Sequence, residues 1–306
     1  MRLDDYRTSD NVEEGRSGGG GFGFGGGGGG MGGLLFGLVL SRFGIGGVLI
    51  LLLGYCALST LGGGGGLGVS GSGTGVATQQ ASGTAGTAST CTADAARRLS
   101  CQVLASTEDT WSAILGRSGE RYAPTTLHFY SRADDSGCGA AQSAMGPFYC
   151  PSDGRIYLDT AFYDELQNRF HAAGDFAEAY VIAHEVGHHI QDLMGTLGRV
   201  QQQQASLSTK AGSALQVRVE LQADCYAGVW AANAKDAHGR ALLEPGDVEE
   251  GLRAAAAIGD DTLQQQEQGY VVPDSFTHGS SAQRVQWLRK GLESGDPAAC
   301  NTFAGA

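Results

Sequence analysis

The sequence predicts an α+β protein, mainly helical with a small antiparallel sheet, preceded by a single transmembrane helix. Three observations lead there. After Asp159 the apolar residues recur at helical spacing almost to the end of the chain. Two short aromatic and β-branched runs, "TLHFYSR" from Thr126 and "RIYLD" from Arg155, stand apart, separated by the turn-rich "GPFYCPSDG". Residues Phe43 to Leu61 read "FGIGGVLILLLGYCALSTL", uncharged and long enough to cross a bilayer as a helix.

Residues 1–33 join a polar head to a glycine run and are too poor in apolar side chains to offset the entropy of ordering, so they are expected to be disordered. Residues 34–61 form the anchor, with Arg42 snorkelling. A cleaved signal peptide is the rival, but its whole length is usually ~15–30 residues, and here the apolar core starts later than that. Arg2, Arg7, Arg16 and Arg42 precede the span, and no Lys or Arg follows it until Arg97. The positive-inside rule therefore puts the N-terminus in the cytoplasm and the remainder outside. Residues 62–90, rich in Gly, Ser, Thr and Ala, read as a linker, and residues 91–306 as the folded domain.

Within that domain, Ala93 to Gly116 is helical in pattern, with Glu108 and Asp109 where a second helix could start. The two strands follow, expected in one antiparallel sheet. "DGRIYLD" could offer an exposed edge for an extended peptide, or be an internal strand. Helical patterns then cover 160–172, 175–194, 205–234, 247–266 and 280–293, punctuated by Gly174, Gly195, Gly246 and Gly279.

A net charge of -12 with only 20 scattered Lys and Arg excludes a nucleic-acid binder, which needs clustered cations against phosphate. The acidity reads as solvated surface and implies no partner. Of 7 cysteines, Cys56 falls in the apolar span. The other six are an even set suited to an oxidising compartment. Short loops favour Cys91 with Cys101 and Cys138 with Cys150, leaving Cys225 with Cys300. A cysteine zinc site is disfavoured, because no CxxC pair is present.

The chemistry lies in "AYVIAHEVGHHIQDLMG". His184, Glu185 and His188 form HExxH, and on a helix positions four apart share a face, so both imidazoles can reach one ion with Glu185 beside them. That suits Zn2+, held by three protein ligands with a fourth position open to a water. Glu185 would be the general base that takes the water's proton and passes it to the leaving amine. His189 points about 100° away from His188 and reads as a core or supporting residue. A chance HExxH in this chain has a probability on the order of one in a hundred, so a third ligand must support the motif.

"VRVELQADCYAGVW" supplies it. Glu220 and Asp224 lie four apart on an apolar helix, where buried carboxylates need a partner. Glu220 is the candidate metal ligand, and Asp224 the acceptor for the spare nitrogen of a ligand histidine, His184 in the first instance. His278, in "PDSFTHGSSAQR", precedes a helix capped by Ser280 or Ser281. The compact metzincin arrangement, with a third histidine six residues after the motif, is excluded because Met194 stands there. His278 is assigned to binding the oxyanion of a tetrahedral intermediate, with Arg284 as its anchor; a surface histidine is the alternative.

The segments "HEVGHHIQ", "ELQADCYAGVW", "MGPFYCPSDGRIYLD" and "PDSFTHGSSAQR" resemble the bacterial neutral zinc metallopeptidase family, from the "SDNVE" head to the "GDPAACNTF" tail. The resemblance implies a zincin-like fold of the glutamate-zincin type, with His184, His188 and Glu220 matching the expected zinc ligands and Glu185 the catalytic glutamate. "THGSSAQR" is similar to the His and Arg segment of integral-membrane zinc proteases, which favours the transition-state role for His278. The expectation is a membrane-tethered zinc endopeptidase acting on a protein or peptide. The competing expectation is a non-catalytic zinc-containing envelope binding or scaffold protein. Against the latter, a structural site has no use for Glu185 and would usually have four protein ligands.

Overall fold

The computed structural model describes residues 1–15 and 89–304. The expected membrane span at 34–61, the glycine run before it and nearly all of the linker after it lie outside the described residues. Among the described residues, no helix is long and apolar enough to cross a membrane. The described part is mostly helical with two small sheets, as the α+β expectation has it.

Six strands form these sheets: β1 (Val12–Glu14), β2 (Thr126–Phe129), β3 (Ala133–Ser136), β4 (Gly139–Gln142), β5 (Phe148–Cys150) and β6 (Arg155–Leu158). One sheet has the order β1-β2-β6-β5, and β3 and β4 make a separate hairpin. The expectation of a single antiparallel sheet is corrected here. β2 runs parallel to β6, with Leu127 opposite Ile156, and only β5 is antiparallel to β6. Parallel neighbours need a long crossover, and the β3–β4 hairpin with the "FYC" strand supplies it. β6 is paired on both sides, so the "RIYLD" segment presents no free edge; the edges belong to β1 and β5.

The head also departs from expectation. Residues 1–14 are ordered rather than disordered, because they complete the sheet and satisfy a buried acid. β1 pairs parallel with β2, Val12 opposite Leu127. Gln102 donates its amide to the carbonyls of Leu3 and Tyr6. Glu108, only 7% exposed, accepts from Ser9 Oγ at 2.5 Å and Asn11 Nδ2 at 2.7 Å and faces Arg7 at 3.1 Å.

Among the described residues, the helices of eight residues or more are α1 (Ala95–Arg117), α2 (Ala161–Asn168), α3 (Asp175–Leu193), α4 (Thr196–Gln204), α5 (Thr209–Asn233), α6 (Asp247–Ala257), α7 (Asp260–Gln268) and α8 (Ser281–Ser294). Residues 95–117 form one helix, not two: Glu108 and Asp109 sit mid-helix because they hold the head. The pattern expected as one helix over 247–266 breaks at Gly259, where a Cβ would fall 2.3 Å from the Ser281 nitrogen. The unforeseen α4 starts after Gly195, which takes the left-handed conformation. α5 and α8 meet backbone to backbone: a Cβ on Gly228 would lie 2.2 Å from Leu288 O, and one on Gly291 2.0 Å from Cys225 O. Disulfides join Cys91 to Cys101, Cys138 to Cys150 and Cys225 to Cys300, the expected pairing.

Candidate metal centre

α3 buries Phe176, Ala179, Tyr180, Ile182, Ala183, Val186 and Ile190 in the core, while its histidine face turns to α5. Gly187, inside the HExxH motif, makes the close crossing possible. A Cβ there would lie 2.9 Å from the Ala223 carbonyl oxygen, so only glycine lets α5 approach this far.

The crossing brings His184, His188 and Glu220 together. Glu220 Oε2 is 3.2 Å from His184 Nε2 and 3.4 Å from His188 Nε2. One ligand atom from each of the three lies within 4.8 Å of the others. The imidazoles stand at 88° to one another with centroids 4.8 Å apart, so their nitrogens converge without stacking. Gln216 Nε2 donates to Glu220 Oε1 at 3.0 Å, which leaves Oε2 turned to the histidines.

Burial opposes charge on His188, yet the facing Glu220 outweighs it and raises the pKa to about 9. On Glu220 burial works the other way, and His188 with His184 still holds the carboxyl well below the usual range. Each shift has the opposite partner as its cause, so the carboxylate and the histidines favour each other's charged forms. Two nitrogens and one carboxylate oxygen, convergent and largely buried, match a three-ligand zinc site with an open position. The donor set fits the metal.

Asp224 is fully buried behind His184. Its Oδ1 accepts from His184 Nδ1 at 2.8 Å and from Tyr180 at 2.5 Å, and Arg284 reaches both carboxylate oxygens at 2.9 Å. Burial alone would raise the Asp224 pKa; Arg284 and His184 hold it low instead. Arg284, expected as an anchor for His278, is held by Asp224. It is 3% exposed.

Glu185 is 7% exposed. Burial raises its pKa, opposed by His188 and His184 and by a backbone hydrogen bond from Tyr149. His278 faces Asp260, which sequence reasoning missed. Asp260 Oδ2 accepts the backbone N–H groups of Thr277, His278 and Gly279, and Oδ1 lies 3.2 Å from His278 Nδ1. Burial disfavours charge on His278, but Asp260 and Glu220 outweigh it and raise its pKa, so the ring shares the electrostatic neighbourhood of the metal cluster. His189 is buried elsewhere, with Nε2 on the Ala123 carbonyl at 2.6 Å and Nδ1 3.2 Å from the Tyr149 hydroxyl. Gln191 and Gln222 were also missed. Both look like ordinary polar helix residues, and only the placement of Gln191 three residues after His188, one turn along the same face, could have drawn attention to it.

The family model described as "Putative neutral zinc metallopeptidase" matches residues 1–303. "Uncharacterized protein YpfJ" of Escherichia coli (strain K12) is 52% identical over 210 residues, which are 69% of this chain and 72% of that one. "Uncharacterized protein Rv2575" of Mycobacterium tuberculosis is 45% identical over 225 residues, 70% of this chain and 74% of that one. No solved structure matches. The match takes in the head, the HExxH helix and the Glu220 helix together, and the chain belongs to this neutral zinc metallopeptidase family.

Proposed function

We propose that the protein is a zinc-dependent endopeptidase that hydrolyses peptide bonds in a protein or peptide substrate. The observation that carries this reading is the convergence of His184, His188 and Glu220, a group of three among the described residues, beside Glu185. Zinc, when bound, supplies Lewis acidity that lowers the pKa of a water to about 7 and polarises the scissile carbonyl.

His184, His188 and Glu220 hold the metal. Glu185, on the same helix and shielded from bulk solvent, takes the proton of the attacking water. Its raised pKa suits it to keep that proton until the leaving amine needs it. His278, drawn towards the positive form by Asp260 and Glu220, donates to the developing oxyanion. Asp224 fixes His184 with Nδ1 protonated and Nε2 free.

The apolar stretch at 34–61 attaches the protein to the bacterial cell membrane in this reading. Three disulfides favour an oxidising compartment for the domain, periplasmic or extracellular. The shared sheet favours the same side for the head.

The test is metal analysis of the purified protein with an unbiased peptide-library digest, for the wild type and for Glu185→Gln. The expected result is about one zinc per chain in both and cleavage by the wild type alone, with a loss on the order of 10²–10⁴-fold. Zinc retention without cleavage by the wild type would instead indicate a non-catalytic zinc protein.

A further inference from the structure

The reaction proposed above makes no use of Gln191, yet this side chain is fully buried beside His188. Its Oε1 lies 2.9 Å from His188 Nδ1. Its Nε2 lies 2.7 Å from the Val219 carbonyl and 3.1 Å from Gln222 Oε1. Gln222, 7% exposed, in turn donates Nε2 to the Cys300 carbonyl at 2.9 Å.

The direction of every bond in this chain is fixed by its far end. A backbone carbonyl can only accept. The Val219 carbonyl therefore turns the Gln191 nitrogen towards itself, and the Cys300 carbonyl does the same to Gln222. The Gln222 oxygen is left facing the Gln191 nitrogen, and the Gln191 oxygen is left facing His188. An amide oxygen cannot donate, so His188 Nδ1 carries the hydrogen. Nε2 is then the atom with a lone pair, and it is the one that faces Glu220.

His184 reaches the same tautomer through a carboxylate, Asp224. His188 reaches it through two neutral amides that end on residue 300. That residue is fastened to α5 by the disulfide to Cys225, three positions beyond Gln222, and just past it Thr302 donates to the Arg218 carbonyl at 2.7 Å. The C-terminal segment thus has a covalent reason to stay in register with the helix that bears Glu220.

We propose that Gln191 and Gln222 are positioning residues that set the tautomer and direction of His188, and that the Cys225–Cys300 clasp is their anchor, so that metal retention depends on the C-terminal disulfide. This rests on His188 being a zinc ligand. Removal of a group that orients a ligand histidine typically weakens zinc binding 10–100-fold.

The experiment measures zinc affinity by chelator competition on the full chain. The variants are Gln191→Met, Gln222→Met, the Gln191→Met/Gln222→Met pair, and Cys225→Ser with Cys300→Ser; thermal unfolding of each checks that it folds. Gln191→Met is expected to weaken zinc about 10–100-fold. Gln222→Met and the double serine variant are expected to weaken it by a smaller factor. Because Gln222 acts only through Gln191, Gln222→Met should add little in the Gln191→Met background, whereas a merely structural contribution would be additive. Zinc affinity of Gln191→Met within twofold of wild type, or full additivity of the pair, overturns the proposal. Should either glutamine variant fail to fold, unchanged affinity in the double serine variant overturns the part played by the clasp. A wild type that binds no zinc removes the ligand reading itself, an outcome distinct from both.

Discussion

Nδ1 of His184 lies 2.8 Å from Oδ1 of Asp224, on the opposite edge of the ring from the Nε2 that faces Glu220. Asp224 serves three partners at once, since Tyr180 and Arg284 also end on it. Arg284 is itself 3% exposed, so removing the charge of Asp224 strands a buried guanidinium. Asp224→Asn is expected to lose about 3–5 kcal/mol of stability and to weaken zinc binding roughly 10–100-fold. Denaturant unfolding and chelator competition read the two effects separately. Unchanged zinc affinity would mean that Asp224 serves the fold and not the metal.

The α5–α8 crossing carries its own prediction. A Cβ on Gly291 would fall 2.0 Å from the Cys225 carbonyl oxygen, and backbone cannot step aside as a flexible side chain can. Gly291→Ala is expected to cost about 1–3 kcal/mol, lowering Tm by roughly 3–10 °C. Gly198 in α4 meets nothing within 4 Å of a Cβ, so Gly198→Ala should stabilise by about 0.5–1 kcal/mol. Equal melting temperatures for the two variants would refute the close-approach account.

What the sequence revealed and what it hid follow one distinction, local spacing against distant contact. His184, Glu185, His188, Glu220 and Asp224 were legible because they are chemically distinctive residues at helical intervals in apolar helices. The direction of the sheet was not, because β5 is only 3 residues long and resembles a turn. β1 is equally short and reads "VEE". Its order comes from Glu108, about a hundred residues away, which no local pattern can show. Gly259 ends a helix because Ser281 leans on it, again a contact from outside the segment. Asp260 and Gln191 pass for solvated helix residues until the fold places His278 and His188 against them.

Glu178 gives a pH dependence remote from the metal. Burial first, then the neighbouring Asp175 and Asp164, raises its pKa from 4.5 to about 7. Between those values the folded protein holds a proton that the unfolded chain has released, so stability falls as pH rises through that window. Part of the group is open to solvent, and after screening the effect is about 1 kcal/mol. Glu178→Gln should match the wild type near pH 4 and exceed its stability by that amount at pH 8, with zinc held constant in urea titrations. A stability gain independent of pH would rule out titration of Glu178 as the cause.

The head offers the sharpest test of how the chain lies relative to a membrane. Ser9, Asn11 and Arg7 satisfy Glu108, and Val12 adds an edge strand beside Leu127. Without residues 1–14 the 7%-exposed Glu108 loses these partners, and the domain is expected to melt several degrees lower. A peptide of residues 1–15 added in trans should restore part of the loss, because the strand docks through backbone bonds that need no covalent link to the domain. Docking also requires both pieces in one compartment. Asp5 and Lys210 have side chains 80% and 71% exposed, so single cysteines at each should react alike with a membrane-impermeant maleimide on intact cells. Equal labelling of Asp5→Cys and Lys210→Cys supports the shared sheet in the cell. If residue 5 were protected until the membrane was permeabilised while residue 210 was labelled from outside, the head would lie across the bilayer and β1 could not pair with β2 of its own chain.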